Sequence, residues 1–164
     1  MSIKHLVGAL AMAAACSAGA TTVNWDSHGA LELAAMTVDK GSFADYLNFT
    51  LDGNSALKAT AVSTNLSPLL GIEDASISLY SHGATDTLIN SYTFDGTTGS
   101  TSHMFYPTGP GSYFYKITGV ATGTMGGFYS IASATAAVPE PRVWALALSA
   151  LLTVGLISRR GSRR

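Results

Sequence analysis

Turn chemistry interrupts the centre of this chain so often that no amphipathic run of helix length fits between the breaks, which leaves short strands as the regular structure available to it. Phe43 to Leu51 shows the pattern best. Phe43, Asp45, Leu47, Phe49 and Leu51 fall on one face, and Ala44, Tyr46, Asn48 and Thr50 on the other, before Asp52-Gly53-Asn54 turns the chain. Leu57 to Thr64 reads as a second strand of small and β-branched residues. Ile72 to Ser81 sets Ala75, Ile77 and Leu79 against Ser76, Ser78 and Tyr80. Thr87 to Phe94 closes at Asp95-Gly96. Thr101 to Tyr106 and Tyr113 to Val120 flank a turn from Pro107 to Gly111, and Phe128 to Ala134 follows Gly126-Gly127. Thr21 to Asp26 suits an opening strand, whereas Leu31 to Met36 fits either a helical turn or a strand. Roughly seven to nine such strands define an all-β chain and an antiparallel β-sandwich, jelly-roll-like in outline. A parallel sheet with helical crossovers is excluded by the missing helices.

The two ends differ from this middle. Lys4, the apolar stretch Leu6 to Ala15, and the small residues Ala18-Gly19-Ala20 form a secretory signal, with cleavage expected before Thr21. The stretch is too short to span a bilayer. Cleavage before Cys16, as in a lipoprotein, is a second reading; Ala13-Ala14-Ala15-Cys16 has the small residues but lacks the usual Leu three positions before the Cys. Cys16 is the only cysteine, so a domain beginning at Thr21 has no disulfide and no thiol nucleophile.

At the other end, Val138-Pro139-Glu140-Pro141 precedes an uncharged apolar run, Val143 to Ser158, and then Arg159, Arg160, Arg163 and Arg164. As a helix at ~1.5 Å per residue the run reaches about 24 Å, near the lower limit for a bilayer core. Val143 and Trp144 would lie at one interface and Leu156 and Ile157 at the other, with Trp144 where an interfacial aromatic is favoured. The arginines snorkel and hold the C-terminus in the cytoplasm, which places the body outside, in agreement with the leader. No face of the run is polar, which argues against a buried amphipathic helix. The expected division is 1–20 signal peptide, 21–137 β-sandwich and 138–164 tail.

Pro139-Glu140-Pro141, an apolar helix and an Arg-rich end together resemble the PEP-CTERM sorting signal of Gram-negative bacteria. The leader calls for signal peptidase, and the resemblance implies recognition by an exosortase, a membrane cysteine protease or transpeptidase. It further implies an inner-membrane-anchored precursor, held there transiently, and delivery to the outer surface or extracellular matrix, in bacteria that make exopolysaccharide. Two body segments are similar to the FxDxF-type subfamily. Phe43-Ala44-Asp45 matches its opening motif, although Tyr46 and Leu47 shift the next aromatic. Gly111-Ser112-Tyr113 and the Gly119 to Gly127 segment are similar to its closing glycine pattern. Glycine there is expected to supply positive φ and close approach where the last two strands turn.

Charge and motif searches narrow the chemistry. The body carries nine acids against Lys40, Lys58 and Lys116, a net of −6, which argues against nucleic-acid binding. His28, His82 and His103 have no zinc-site spacing, and no metal site is assigned. No G-x-S-x-G elbow is present, and Glu73-Asp74, neighbours on a strand, are expected on opposite faces at a solvated strand entrance. Turn formation accounts for Asp52-Gly53 and Asp95-Gly96 without calcium, and Asp45 is expected inward, bonded to backbone at a sheet edge. Alternation places Tyr113 and Tyr115 on one face and Phe114 on the other. The expectation is a non-enzymatic surface or matrix protein without cofactor or catalytic residues. The alternative is a carbohydrate-binding module using the late tyrosines. A hydrolase whose site is invisible in sequence is a third reading, one that a pocket joining a histidine to an Asp and a Ser would reopen.

Overall fold

The structure, a computed structural model, describes residues 20–137. The signal segment up to position 19, including Ala18, and the whole tail from Val138 to Arg164 lie outside the described residues. The body contains β1 (Thr22–Ser27), β2 (Leu31–Val38), β3 (Gly41–Leu51), β4 (Ser55–Thr64), β5 (Ile72–Ser81), β6 (Thr87–Thr93), β7 (His103–Phe105), β8 (Gly111–Ala121) and β9 (Gly127–Ala137), with one 3-10 turn at Thr98–Ser100. They form two sheets, ordered β1-β3-β8-β5-β6 and β2-β9-β4-β7.

The alternation seen in the sequence is the alternation of burial. Phe43, Asp45, Leu47, Phe49 and Leu51 are all buried, whereas Ala44, Tyr46 and Asn48 are half-buried and Thr50 is exposed. The period of two sends alternate side chains to opposite faces, and one face closes against the other sheet. The facing strand β4 offers Leu57, Ala59 and Ala61 inward. These small residues share one core with the large rings of Phe49, Tyr113, Tyr115, Phe105 and Tyr129.

Several expectations need correction. The sandwich is mixed, because β1 pairs with β3 in parallel. The chain reverses at each turn but places β2 in the opposite sheet, so β1 and β3 return to the same sheet in the same direction. Leu31 to Met36 is strand, held by a full antiparallel register on β9; its ambiguity in isolation is resolved by that partner. The strand expected over Thr101 to Tyr106 shrinks to His103–Phe105, pairing only with Leu57 to Ala59 of β4. The strict alternation expected at Glu73-Asp74 fails. The register shifts between Glu73 and Ser76, Asp74 has φ +51°, and both acids are exposed. This bulge lets Ile72 and Ala75, at odd spacing, both point inward.

The glycine segment does what its composition implied. Gly126 has φ +86°, and a Cβ there would collide with the carbonyl of Val38. A Cβ at Gly123 would collide with the carbonyls of Leu69 and Gly126. The turn from β8 to β9 is therefore threaded against backbone from two other loops, where no side chain fits.

Candidate functional site

Two polar clusters penetrate the core, and one cleft opens from it. The first cluster centres on Asp45, which is fully buried. Its Oδ2 accepts the hydroxyl of Tyr129 at 2.6 Å and its Oδ1 accepts the backbone N–H of Thr21 at 2.8 Å. Asp45 is thus inward and backbone-bonded as expected, but in the second strand of the sheet rather than at its edge. Burial, reinforced by the hydrogen bond to Asp45 and its negative charge, pushes the Tyr129 phenol far above its ordinary range, so Tyr129 is a donor at any physiological pH.

The second cluster joins His28, Ser133 and Tyr115. His28 Nδ1 lies 2.8 Å from the carbonyl of Gly29 and must donate to it. Burial lowers the His28 pKa, keeping the ring neutral, so Nε2 is left as acceptor for Ser133 Oγ at 2.9 Å. Ser133 in turn accepts from Tyr115, whose hydroxyl is 3.0 Å away. This is a serine poised on a histidine, yet Ser133 has 0% exposure and neither residue lines either of the two clefts described below. A nucleophile needs access to substrate as well as a base. The cluster is a satisfied polar core that ties β9 and the β1–β2 loop to β8.

The neutral state of His28 has a measurable consequence. Below a pH near 6.5 the unfolded chain takes up a proton at His28 before the folded chain does, so stability is full above that pH and falls as pH drops toward the lowered folded pKa. Urea unfolding at pH 7.5 and pH 5 is expected to show this loss in the native chain and a smaller loss in His28→Gln. Equal losses in the two proteins contradict the assignment.

The cleft, of about 310 Å³, lies at one end of the five-stranded sheet. Phe49 and Tyr113 line it together with Asn24, Asp26, Asn48, Thr50, His82 and Ser112. Asn48 donates to Asn24 at 3.1 Å, which orients both amides. Asp86 Oδ1 accepts from His82 Nδ1 at 2.8 Å, both side chains being exposed. The cleft therefore does bring a histidine, an aspartate and a serine together. No hydrogen bond joins His82 to Ser112 Oγ, however, and the contact between them is backbone, His82 N–H to the Ser112 carbonyl at 2.9 Å. The hydroxyl is not activated by the ring.

Beside the cleft runs an aromatic ladder on the outer face of the same sheet. Tyr80 and Phe114 stack with centroids 5.0 Å apart and planes at 4°, Tyr46 lies 5.8 Å from Phe114, and His82 abuts Phe114 edge-on at 6.1 Å. The Lys116 ammonium sits 5.9 Å from the Tyr46 ring centroid. β3, β8 and β5 are adjacent, so residues of matching parity line up across them.

The late tyrosines do not form this surface. Tyr113, Tyr115 and Tyr129 are core residues, with Tyr115 and Tyr129 at 0% exposure, and only Tyr106 of the late tyrosines stands exposed. Alternation separated Phe114 from Tyr113 and Tyr115, but it gave no sign that Phe114 would meet Tyr46 and Tyr80, which are distant in sequence. His103 lies in β7 and stacks on Tyr92 at 4.1 Å. Asp95 accepts from both the backbone N–H and the hydroxyl of Thr97, at 2.7 Å each, which builds a turn and lowers its pKa. Among the described residues no three His, Cys, Asp or Glu side chains gather as metal ligands. A second cleft, about 400 Å³, contains Glu73 as its one ionisable lining residue.

Fold and site thus define a small two-sheet β-domain with a sealed polar core and an open cleft beside an aromatic face. No family model matches the chain, and no curated protein sequence does. Among solved structures it is similar to PliG of Salmonella Typhimurium, a periplasmic lysozyme inhibitor of g-type lysozyme, at 16% identity over 71% of this chain and 98% of that one, TM-score 0.38. It is also similar to PliG of Aeromonas hydrophila, likewise a periplasmic inhibitor of g-type lysozyme, at 14% identity over 71% and 99%, TM-score 0.40. Likeness at this level carries neither fold nor function to the present chain.

Proposed function

We propose that the chain is an exported, non-enzymatic protein of the cell surface or extracellular matrix, released from its leader by signal peptidase and sorted by an exosortase through its C-terminal signal. The observation that carries this reading is the sequence of the tail: Pro139-Glu140-Pro141, then beyond Arg142 the uncharged run Val143 to Ser158, then Arg159, Arg160, Arg163 and Arg164. The sealed β-domain supports it, because both serine–histidine encounters lack either access or a side-chain hydrogen bond. The strand orders β3-β8-β5-β6 and β2-β9-β4-β7, with β1 added at one edge, support reading the sandwich as jelly-roll-like. A reporter fused after Arg164 tests the topology: it is expected in the cytosol, and a periplasmic signal overturns the scheme. Intact mass of the surface-extracted protein tests sorting, since retention of residues beyond Pro141 contradicts cleavage.

A second reading, a carbohydrate contact made by this domain, is favoured by the ladder and cleft. Tyr46 and Tyr80 present aromatic surface beside the oriented amides of Asn24 and Asn48, a pairing of apolar platform and fixed polar groups suited to sugar rings and their hydroxyls. The acidic body suits a neutral rather than an acidic polysaccharide. On a glycan array, binding to neutral polysaccharide is expected to fall about tenfold or more in Tyr80→Ala and Asn48→Ala, corresponding to the loss of roughly 1.4 kcal/mol. Silence of the unaltered domain on neutral glycans removes this reading while leaving the export scheme in place.

A further inference from the structure

Asp45 is a carboxyl group held at 0% exposure, and its two hydrogen-bond partners, Tyr129 and the Thr21 backbone, are neutral in the chain before any cleavage. Among the described residues no basic side chain lies within 4.0 Å of it; the ion pair found there is His82 with Asp86, on the surface. A buried acid without a cation is costly, and folds retain one where a counter-charge completes it. One of the donors is placed at the bond where the leader is expected to end. Thr21 N points at Asp45 Oδ1, while the Thr21 carbonyl accepts from Tyr46 N–H at 2.7 Å, so the residue is held on both sides. Ala20, immediately before it, is exposed.

We propose that Asp45 is the built acceptor for a new N-terminus: hydrolysis of the Ala20–Thr21 bond creates the ammonium group that this carboxylate lacks. The inference rests on the export reading for its peptidase. Water adds across the peptide bond, Ala20 leaves as a carboxylate, and the Thr21 nitrogen becomes an amine that takes up a proton at neutral pH. The amide donor at 2.8 Å is thereby replaced by a charged donor at the same place, and a charge-assisted bond replaces a neutral one. Tyr129, from β9 in the opposite sheet, completes the carboxylate on its other oxygen. Processing at this bond then fastens β1 to β3 and, through Tyr129, one sheet to the other. Cleavage one residue earlier or later would leave the ammonium out of register with Asp45. The pairing explains why an acid occupies an inward position in a strand otherwise filled with Phe and Leu.

The test compares chains running from Thr21 to Arg164 and from Ala20 to Arg164 in non-ionic detergent, each with Asp45 and with Asp45→Asn. Urea unfolding is followed by near-ultraviolet circular dichroism. The Thr21 chain is expected to have a folding equilibrium constant about tenfold larger than the Ala20 chain, in line with the gain of a charged over a neutral hydrogen bond. Asp45→Asn is expected to abolish that difference. Equal stability of the two starts with Asp45 present, or a gain that survives Asp45→Asn, overturns the proposal. Should Asp45→Asn fail to fold, acetylation of the Thr21 α-amine in the otherwise native chain decides. It is expected to proceed at least about tenfold slower than in a peptide spanning Thr21 to Ser27, because the paired ammonium is held unreactive. Equal rates overturn the pairing. The N-terminal residue of protein recovered from cells is a separate measurement, so an error in the export reading is distinguishable from an error in the pairing.

Discussion

Replacing Tyr115 by alanine is expected to lower the unfolding free energy by about 4 kcal/mol, a large part of the roughly 5–15 kcal/mol that holds a domain of this size. The ring has 0% exposure and is surrounded by other rings, with centroids 5.2 Å from Phe49, 5.5 Å from Phe105 and 6.3 Å from Trp25. These partners come from β3, β7 and β1, so one side chain joins strands of both sheets. Its hydroxyl also bonds Ser133, which truncation leaves short of a partner. Tyr115→Phe keeps the ring and removes only the hydroxyl, with an expected cost of about 1–2 kcal/mol. Urea unfolding of both variants measures the difference. A loss below about 1.5 kcal/mol for Tyr115→Ala would mean that the two sheets do not depend on this contact.

The second large effect concerns the tail. Replacing Leu148 and Leu152 together by arginine is expected to cost about 6 kcal/mol of membrane insertion, since each central arginine is disfavoured by roughly 2.5–3.5 kcal/mol. The precursor with its native Val143 to Ser158 run is expected to stay in vesicles through a carbonate wash, and the doubly substituted precursor to wash off. Release of the native precursor would remove the membrane step and with it the basis for exosortase sorting. The same change leaves the β-domain untouched, so unfolding of residues in the body serves as its control.

Much of the fold was legible because a strand advertises itself locally. The inward set from Phe43 to Leu51 and the glycine turn before β9 follow from a period of two and from the space a Cβ needs. The bulge at Asp74 was not legible, because a positive φ at a non-glycine residue is imposed by neighbouring strands and leaves no mark in alternation. The parallel pairing of β1 was hidden for a similar reason. Strand direction within a sheet depends on which layer the intervening strand enters, and a hydrophobic pattern does not record layers.

For the candidate site the division is sharper. The apolar ends with their basic residues, the acidic body and the outward placement of Phe114 come from the amino-acid sequence by itself, since apolarity, charge and parity are properties of neighbouring residues. The meeting of Phe114 with Tyr46 and Tyr80, the sealing of Ser133 behind Tyr115, and the contact of Thr21 with Asp45 were decided only by tertiary structure. Each joins residues far apart in the chain, and their proximity depends on strand order and register, which emerge when two sheets close over one shared core.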